Sequence, residues 1–261
     1  MSFISLFMDE NNMKIAKKLL LSLSLFAIFL PQAGAEAVKD VTVDYRHGYR
    51  LRDRTHYDKL ALGASLPDNW AFNVETKFKT GGPSPKDKYY NDVVLNVVEM
   101  TLLKTYNWGN WSWSPFIQPE FSSSRTEWKF GVAPWYKIND SWSIGGLYRL
   151  ELSDYAHDSQ CGDAGHDFCS LDKHRTVNRF DAYFRYRWDD LTTTYKIIYM
   201  HGDDKLFANH NDNYEQELQF NYAMGAQREW GPYITFADIG RSAYTSERQL
   251  RLRLGVTYTF K

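Results

Sequence analysis

From Gln249 to Phe260 the chain alternates strictly. Leu250, Leu252, Leu254, Val256, Tyr258 and Phe260 share one parity, and Gln249, Arg251, Arg253, Gly255, Thr257 and Thr259 share the other. Successive side chains of a strand point to opposite faces, so this segment predicts a strand with one apolar and one polar face. The same period places Val41, Val43, Tyr45, His47 and Tyr49 against Thr42, Asp44, Arg46, Gly48 and Arg50. It returns in Trp70–Phe78 and in Arg179–Trp188. Twelve segments carry it: 38–51, 57–66, 70–80, 92–104, 111–121, 126–138, 142–154, 175–188, 191–201, 213–224, 229–239 and 246–260. Val93–Lys104 and Leu191–His201 are apolar on both parities, which leaves their facing open.

Composition narrows the choice. Mean hydropathy is −0.53, and a helical membrane protein would need runs of about 20 apolar residues. The one long apolar run, Leu19–Leu30, is too short for a span and follows Lys14, Lys17 and Lys18. With Ala33-Gly34-Ala35 behind it, residues 1–35 read as a signal peptide and 36–261 as the exported domain. Met13 is a more natural start than Met1, because Asp9 and Glu10 do not suit a positive leader. Sixteen Phe, nine Trp and eighteen Tyr are too many aromatics for a disordered chain. A net charge of −1 gives no reason to expect nucleic-acid binding. Export into an oxidising compartment makes Cys161 and Cys169 a loop-closing disulfide.

Short connections fall at 67–69, 139–141 and 189–190, and longer polar ones at 80–91, 155–174 and 202–212. Alternating short turns and long loops mark an outer-membrane β-barrel, with both termini on the periplasmic side when the strand number is even. Trp70, Trp111, Trp113, Trp128, Trp142, Trp188, Trp230, Tyr258 and Phe260 lie on the apolar parity near segment ends, as interfacial girdles do. The predicted fold is all-β: a twelve-stranded, up-and-down antiparallel transmembrane barrel in contact with outer-membrane lipid.

In such a barrel the polar parity faces the lumen. The inward bases are then Arg46, Arg50, Lys77, Lys79, Lys129, Arg149, Arg179, Arg185, Arg187, Lys196, Arg251 and Arg253. The inward acids are Asp44, Glu75, Glu99, Glu120, Glu151, Asp181, Glu215 and Glu217, leaving a wall charge of +4 in a slightly acidic exported chain. Eight of the twelve bases are Arg, whose planar fork matches carboxylates bidentately. The pattern points to a path for carboxylate-bearing anions, with Tyr183 and Tyr233 available to stack on sugar rings. The competing reading is that these bases pair with the inward acids and fill a plugged barrel. Asp44 with Arg46, Glu151 with Arg149, and Asp181 with Arg179 are the expected cross-strand pairs.

Several segments resemble the oligogalacturonate-specific monomeric porins of the KdgM type. They are Val41-Thr-Val-Asp-Tyr-Arg-His-Gly-Tyr49, Leu147-Tyr-Arg-Leu-Glu151, Arg179-Phe-Asp-Ala-Tyr183, Trp230-Gly-Pro-Tyr-Ile234 and Glu247-Arg-Gln-Leu-Arg-Leu-Arg-Leu-Gly-Val256. The resemblance spans the exported chain. It implies a twelve-stranded monomeric outer-membrane channel for acidic oligosaccharides, oligogalacturonates or sialic acid, lined by two arginine tracks. By position it points to Arg46, Arg149, Arg179, Arg185, Arg251 and Arg253. Lys261 after Phe260 departs from the usual aromatic C-terminus that the outer-membrane assembly machinery receives.

Other chemistry finds less support. Cys161, His166, Cys169 and His174 fit no familiar zinc spacing, and no cofactor motif is present. A barrel hydrolase needs a nucleophile, a base and an orienting group at one point. His47 and His201 have no evident Ser partner, while Asp44, Glu120 and Glu151 offer a possible carboxylate pair for glycoside cleavage. An adhesive barrel would favour longer loops than these. The expectation is a channel, not an enzyme, without metal or cofactor.

Overall fold

The computed structural model describes residues 38–80, 93–156 and 174–260. The signal segment, Cys161 and Cys169 with most of their loop, and Lys261 lie outside the described residues. Thirteen strands form one sheet: β1 Asp40–Arg50, β2 Thr55–Ser65, β3 Trp70–Thr80, β4 Val93–Lys104, β5 Tyr106–Trp108, β6 Trp111–Ser122 and β7 Arg125–Lys137. The rest are β8 Trp142–Tyr155, β9 His174–Trp188, β10 Leu191–Gly202, β11 Asp212–Tyr222, β12 Trp230–Gly240 and β13 Arg248–Phe260. Each strand pairs antiparallel with its neighbours, and β4 also pairs with β6. The sheet closes because β1 pairs with β13, from Val41 opposite Phe260 to Arg50 opposite Arg251.

Crossings number twelve, because β5 continues β4 after a break at Thr105, whose N–H donates to Asn69 O at 2.9 Å. The register between β3 and β4 shifts between Lys77 and Phe78, passing over Asn96. This bulge explains why both parities of Val93–Lys104 are apolar: the inward set changes at Asn96, leaving Val97 and Glu99 inside and Leu95 outside. In β10 the inward set is Thr192, Thr194, Lys196, Ile198 and Met200, and Ile198 is almost wholly buried.

The interior is polar and the exterior apolar. Buried residues include Glu99, Glu120, Glu127, Lys129, Arg175, Asp181 and Glu217, whereas the exposed large apolar side chains are mostly outward Trp, Tyr, Phe and Leu. A water-soluble domain arranges these the other way, so this barrel is built for a lipid surround. An aromatic belt rings the end that carries the termini. Its rings touch across strands: Trp111 and Tyr136 at 4.8 Å, Trp142 and Tyr186 at 4.6 Å, and Trp230 and Tyr258 at 4.5 Å between centroids.

The turns at this end follow from their residues. Asp68 and Asn69 take φ of 56° and 61°, a left-handed region that Asp and Asn tolerate. Asn139 Oδ1 accepts from the N–H groups of Ser141 and Trp142 at 2.9 and 2.8 Å, closing an Asx turn. The expected length rhythm holds only in part. The 51–54 and 123–124 connections at the opposite end are short, while the 223–229 turn at the terminal end is long. Ser122 Oγ makes the tight 123–124 turn possible by accepting from the Arg125 N–H at 3.0 Å.

At the opposite mouth the connections 51–54, 203–211 and 241–247 are laced together. Asp53 accepts from Arg241 Nε at 2.9 Å and Gln249 Nε2 at 2.6 Å, and Asn209 N donates to Ala243 O at 2.8 Å. Burial alone would raise the Asp53 carboxyl, but the hydrogen bonds from Gln249 and Arg241 outweigh it and hold the group below its ordinary 3.8.

Candidate functional site: a charged lumen in two halves

All twelve predicted bases fall on the inward parity of their strands, as do the eight predicted acids. The structure adds Lys59, Arg125, Glu127, Lys137 and Arg175 to this wall. These were missed because β2 is polar on both parities near its start, and because the β6–β7 ion pairs depend on register across strands.

The wall formed by β2 to β7 is a compact ion-pair cluster. Lys129 Nζ lies 2.6 Å from Glu99, 2.7 Å from Glu120 and 3.2 Å from Glu127. Lys77 reaches Glu99 at 3.3 Å and Glu120 at 3.4 Å, while Arg125 reaches Glu120 at 2.9 Å and Glu127 at 3.3 Å. Lys59 bridges Glu75 at 2.8 Å to Asp44 at 3.2 Å. Ser153 Oγ donates to Glu127 at 2.6 Å, and Gln118 Nε2 to Glu99 at 3.0 Å. Each buried charge here has several partners, the condition under which burial of charge is tolerated. Glu75, Glu99, Glu120 and Glu127 are matched by Lys59, Lys77, Arg125 and Lys129, so this cluster is close to neutral; Lys79 and Lys137 lie outside it, at opposite ends of this wall.

The other half runs through β8 to β13 and β1, and is rich in arginine. Part of it is paired. Arg149 is held by Glu151, and Arg179 Nε by Asp181 at 2.8 Å. Lys196 lies 3.5 Å from Asp181 and 3.4 Å from Glu217. Glu217 also accepts from Arg251 at 2.6 Å and Arg253 at 3.0 Å. The expected Arg149–Glu151 and Arg179–Asp181 pairs thus form, but along one strand at i, i+2 rather than across strands. The expected Asp44–Arg46 pair does not form: Asp44 accepts from Tyr233 OH at 3.0 Å and Thr257 Oγ1 at 2.8 Å, besides Lys59. Tyr183 OH donates to Asp181 at 2.9 Å.

Four arginines have no carboxylate partner among the described residues: Arg46, Arg50, Arg185 and Arg187. Arg46 Nε is buried without a hydrogen-bond acceptor. Arg50 leans over the Tyr57 ring at 5.9 Å, and Arg185 stacks on Trp135 at 4.0 Å. Arg50 stands at the far mouth, Arg46 below it, and Arg185 and Arg187 at the terminal end of β9. The unpaired cations therefore mark both ends of the path, with paired but close-set arginines between them.

Inward aromatics lie flat against the wall because each faces a glycine on the adjacent strand. Tyr57 opposes Gly48, Phe116 Gly131, Trp135 Gly145 and Tyr233 Gly255. A methyl group on Gly145 would sit 2.6 Å from the Trp135 ring, so the close approach requires glycine there.

The side chains of the hydrolase reading have other partners in the structure. Glu120, Asp44 and Glu151 each engage separate basic partners rather than one another. His47 and His201 face outward, hydrogen-bonded to Asp58 and Asp212, both at 2.9 Å. No group of three or more His, Cys, Asp and Glu among the described residues is arranged to hold a metal.

Comparison with known proteins agrees with this geometry. Residues 34–260 match the family model described as oligogalacturonate-specific porin protein (KdgM). The chain is 25% identical over 226 residues to the oligogalacturonate-specific porin KdgM of Dickeya dadantii (strain 3937), covering 84% of this chain and 92% of that protein. It is 27% identical over 221 residues to the uncharacterized protein YiiY of Salmonella typhimurium, covering 84% and 90%. Among solved structures it shares the fold of a NanC porin, with TM-score 0.65 and 17% identity over 83% of this chain and 98% of that one. It also shares that of a KdgM porin solved in complex with disordered oligogalacturonate, with TM-score 0.61 and 18% identity over 84% and 99%.

Proposed function

The chain belongs to the KdgM family of oligogalacturonate-specific porins of the outer membrane, and from that premise we propose that its lumen passes small acidic saccharides by facilitated diffusion. The observation that carries this reading is the sorting of charge: acids of the β2–β7 wall are neutralised locally, whereas Arg46, Arg50, Arg185 and Arg187 have no carboxylate partner among the described residues. A saccharide carboxylate exchanges water for bidentate arginine contacts one position at a time. Residual hydration and the nearby Glu217 and Asp181 keep each contact weak enough to release, as conduction demands.

The proposed path comprises Arg46, Arg50, Lys77, Lys129, Arg149, Arg179, Tyr183, Arg185, Arg187, Lys196, Arg251 and Arg253. Lys77 and Lys129 act there indirectly, by cancelling the glutamates that would repel the substrate. We further propose that the barrel acts as a monomer and performs no catalysis, since its inward carboxylates are engaged by bases.

The test is single-channel recording with trigalacturonate and with maltotriose, a neutral sugar of the same length. Block by trigalacturonate at concentrations where maltotriose has no effect is the expected result. Equal block by both, or by neither, would contradict the assignment.

A further inference from the structure

At the periplasmic mouth, β6 to β9 frame a recess of about 420 Å³, and the carboxylate in its lining is Asp140. Ser112, Ser114 and Ser143 line it with hydroxyl groups, and Arg185 and Arg187 supply its positive charge. Lys137, also in its wall, is engaged by Asp140 at 2.7 Å. Trp135 lies flat over Gly145 in this wall, and the Arg185 guanidinium stacks on the indole at 4.0 Å.

A stacked guanidinium is held by its face, so its N–H donors, which lie in the plane of the group, are left over for a ligand. This distinguishes Arg185 from Arg149, Arg179, Arg251 and Arg253, whose donors are taken by acids. Arg187 follows two residues later on the same face, about 7 Å along the strand.

We propose that this recess is an exit subsite for one hexuronate unit, with its carboxylate on Arg185 and Arg187, and its ring hydroxyls on Ser112, Ser114 and Ser143. Trp135 is the positioning residue: it fixes Arg185 without neutralising it. The proposal deepens the acidic-saccharide reading and rests on it.

The test records block of oriented single channels by trigalacturonate added to either side. R185Q removes charge-assisted hydrogen bonds and is expected to shorten periplasmic-side block about tenfold. W135A is expected to shorten it about fivefold by freeing the guanidinium, and W135F to restore most of it. Folding is checked by heat-modifiable electrophoretic mobility, and R185Q with W135F decides the matter if W135A fails to fold. Unchanged periplasmic dwell times in R185Q, with wild-type block intact, would overturn the subsite. A wild-type channel that trigalacturonate does not block from either side would instead overturn the substrate reading beneath it.

Discussion

Lys129→Gln should destabilise the barrel strongly. Its ammonium lies within 3.2 Å of Glu99, Glu120 and Glu127, and its side chain is only 5% exposed. Without it, the cations left beside those three carboxylates among the described residues are Lys77, at 3.3 and 3.4 Å, and Arg125, at 2.9 and 3.3 Å, with neutral donors from Gln118 and Ser153. Removing one partner from a buried ion pair costs about 3–5 kcal/mol, because an uncompensated charge stays behind. Glu120→Gln with Lys129→Gln restores the balance, and the double variant should recover about 1–3 kcal/mol relative to the sum of the singles. Urea unfolding in lipid vesicles, followed by tryptophan fluorescence, measures all three variants. A Lys129→Gln cost below about 1 kcal/mol, or strict additivity in the double variant, would refute the claim that this wall is a neutralised unit.

Three further outcomes are expected. Arg46→Gln with Arg50→Gln should lower anion preference in a salt-gradient reversal potential while changing stability by less than about 1 kcal/mol, since neither arginine has a carboxylate partner among the described residues; a loss of several kcal/mol would contradict their assignment as unpaired. Asp53 is held below its ordinary 3.8 in the folded barrel, so its stabilisation of the 51–54 and 241–247 connections is present above that value and is lost as pH falls through the lowered one. Hydrogen exchange at residues 52–54 should rise over that acidic range and become insensitive to it in Asp53→Asn. For the proposed Cys161–Cys169 disulfide, thiol reagents should label neither cysteine until a reductant is added; labelling of the untreated protein would contradict it.

Much of this architecture was legible in the period-two alternation. Segments such as Leu250–Phe260 bury one face in lipid, and a one-residue slip would invert every side chain, so parity alone sets facing. It failed where the backbone broke period: the bulge at Asn96 swaps parity within Val93–Lys104, and the break at Thr105 splits one crossing into β4 and β5. Within the site, the identity of the inward charges was legible and their pairing was not. Whether Arg185 meets a carboxylate or Trp135 depends on which strand stands beside β9 and in what register, which no local pattern encodes. The same holds for Lys59 and Glu127, whose partners lie on neighbouring strands. The resemblance of Glu247–Val256 and Arg179–Tyr183 to the KdgM-type porins pointed to the family, which the family match over residues 34–260 shows.

The central claim is that a charge-sorted lumen selects anions. The reversal potential of the refolded barrel in a planar bilayer under a KCl gradient tests it most directly. The expected potential is displaced toward the chloride equilibrium value and shrinks when Arg46, Arg50, Arg185 and Arg187 are all changed to Gln. A potential at zero or toward potassium in the wild-type channel would contradict it.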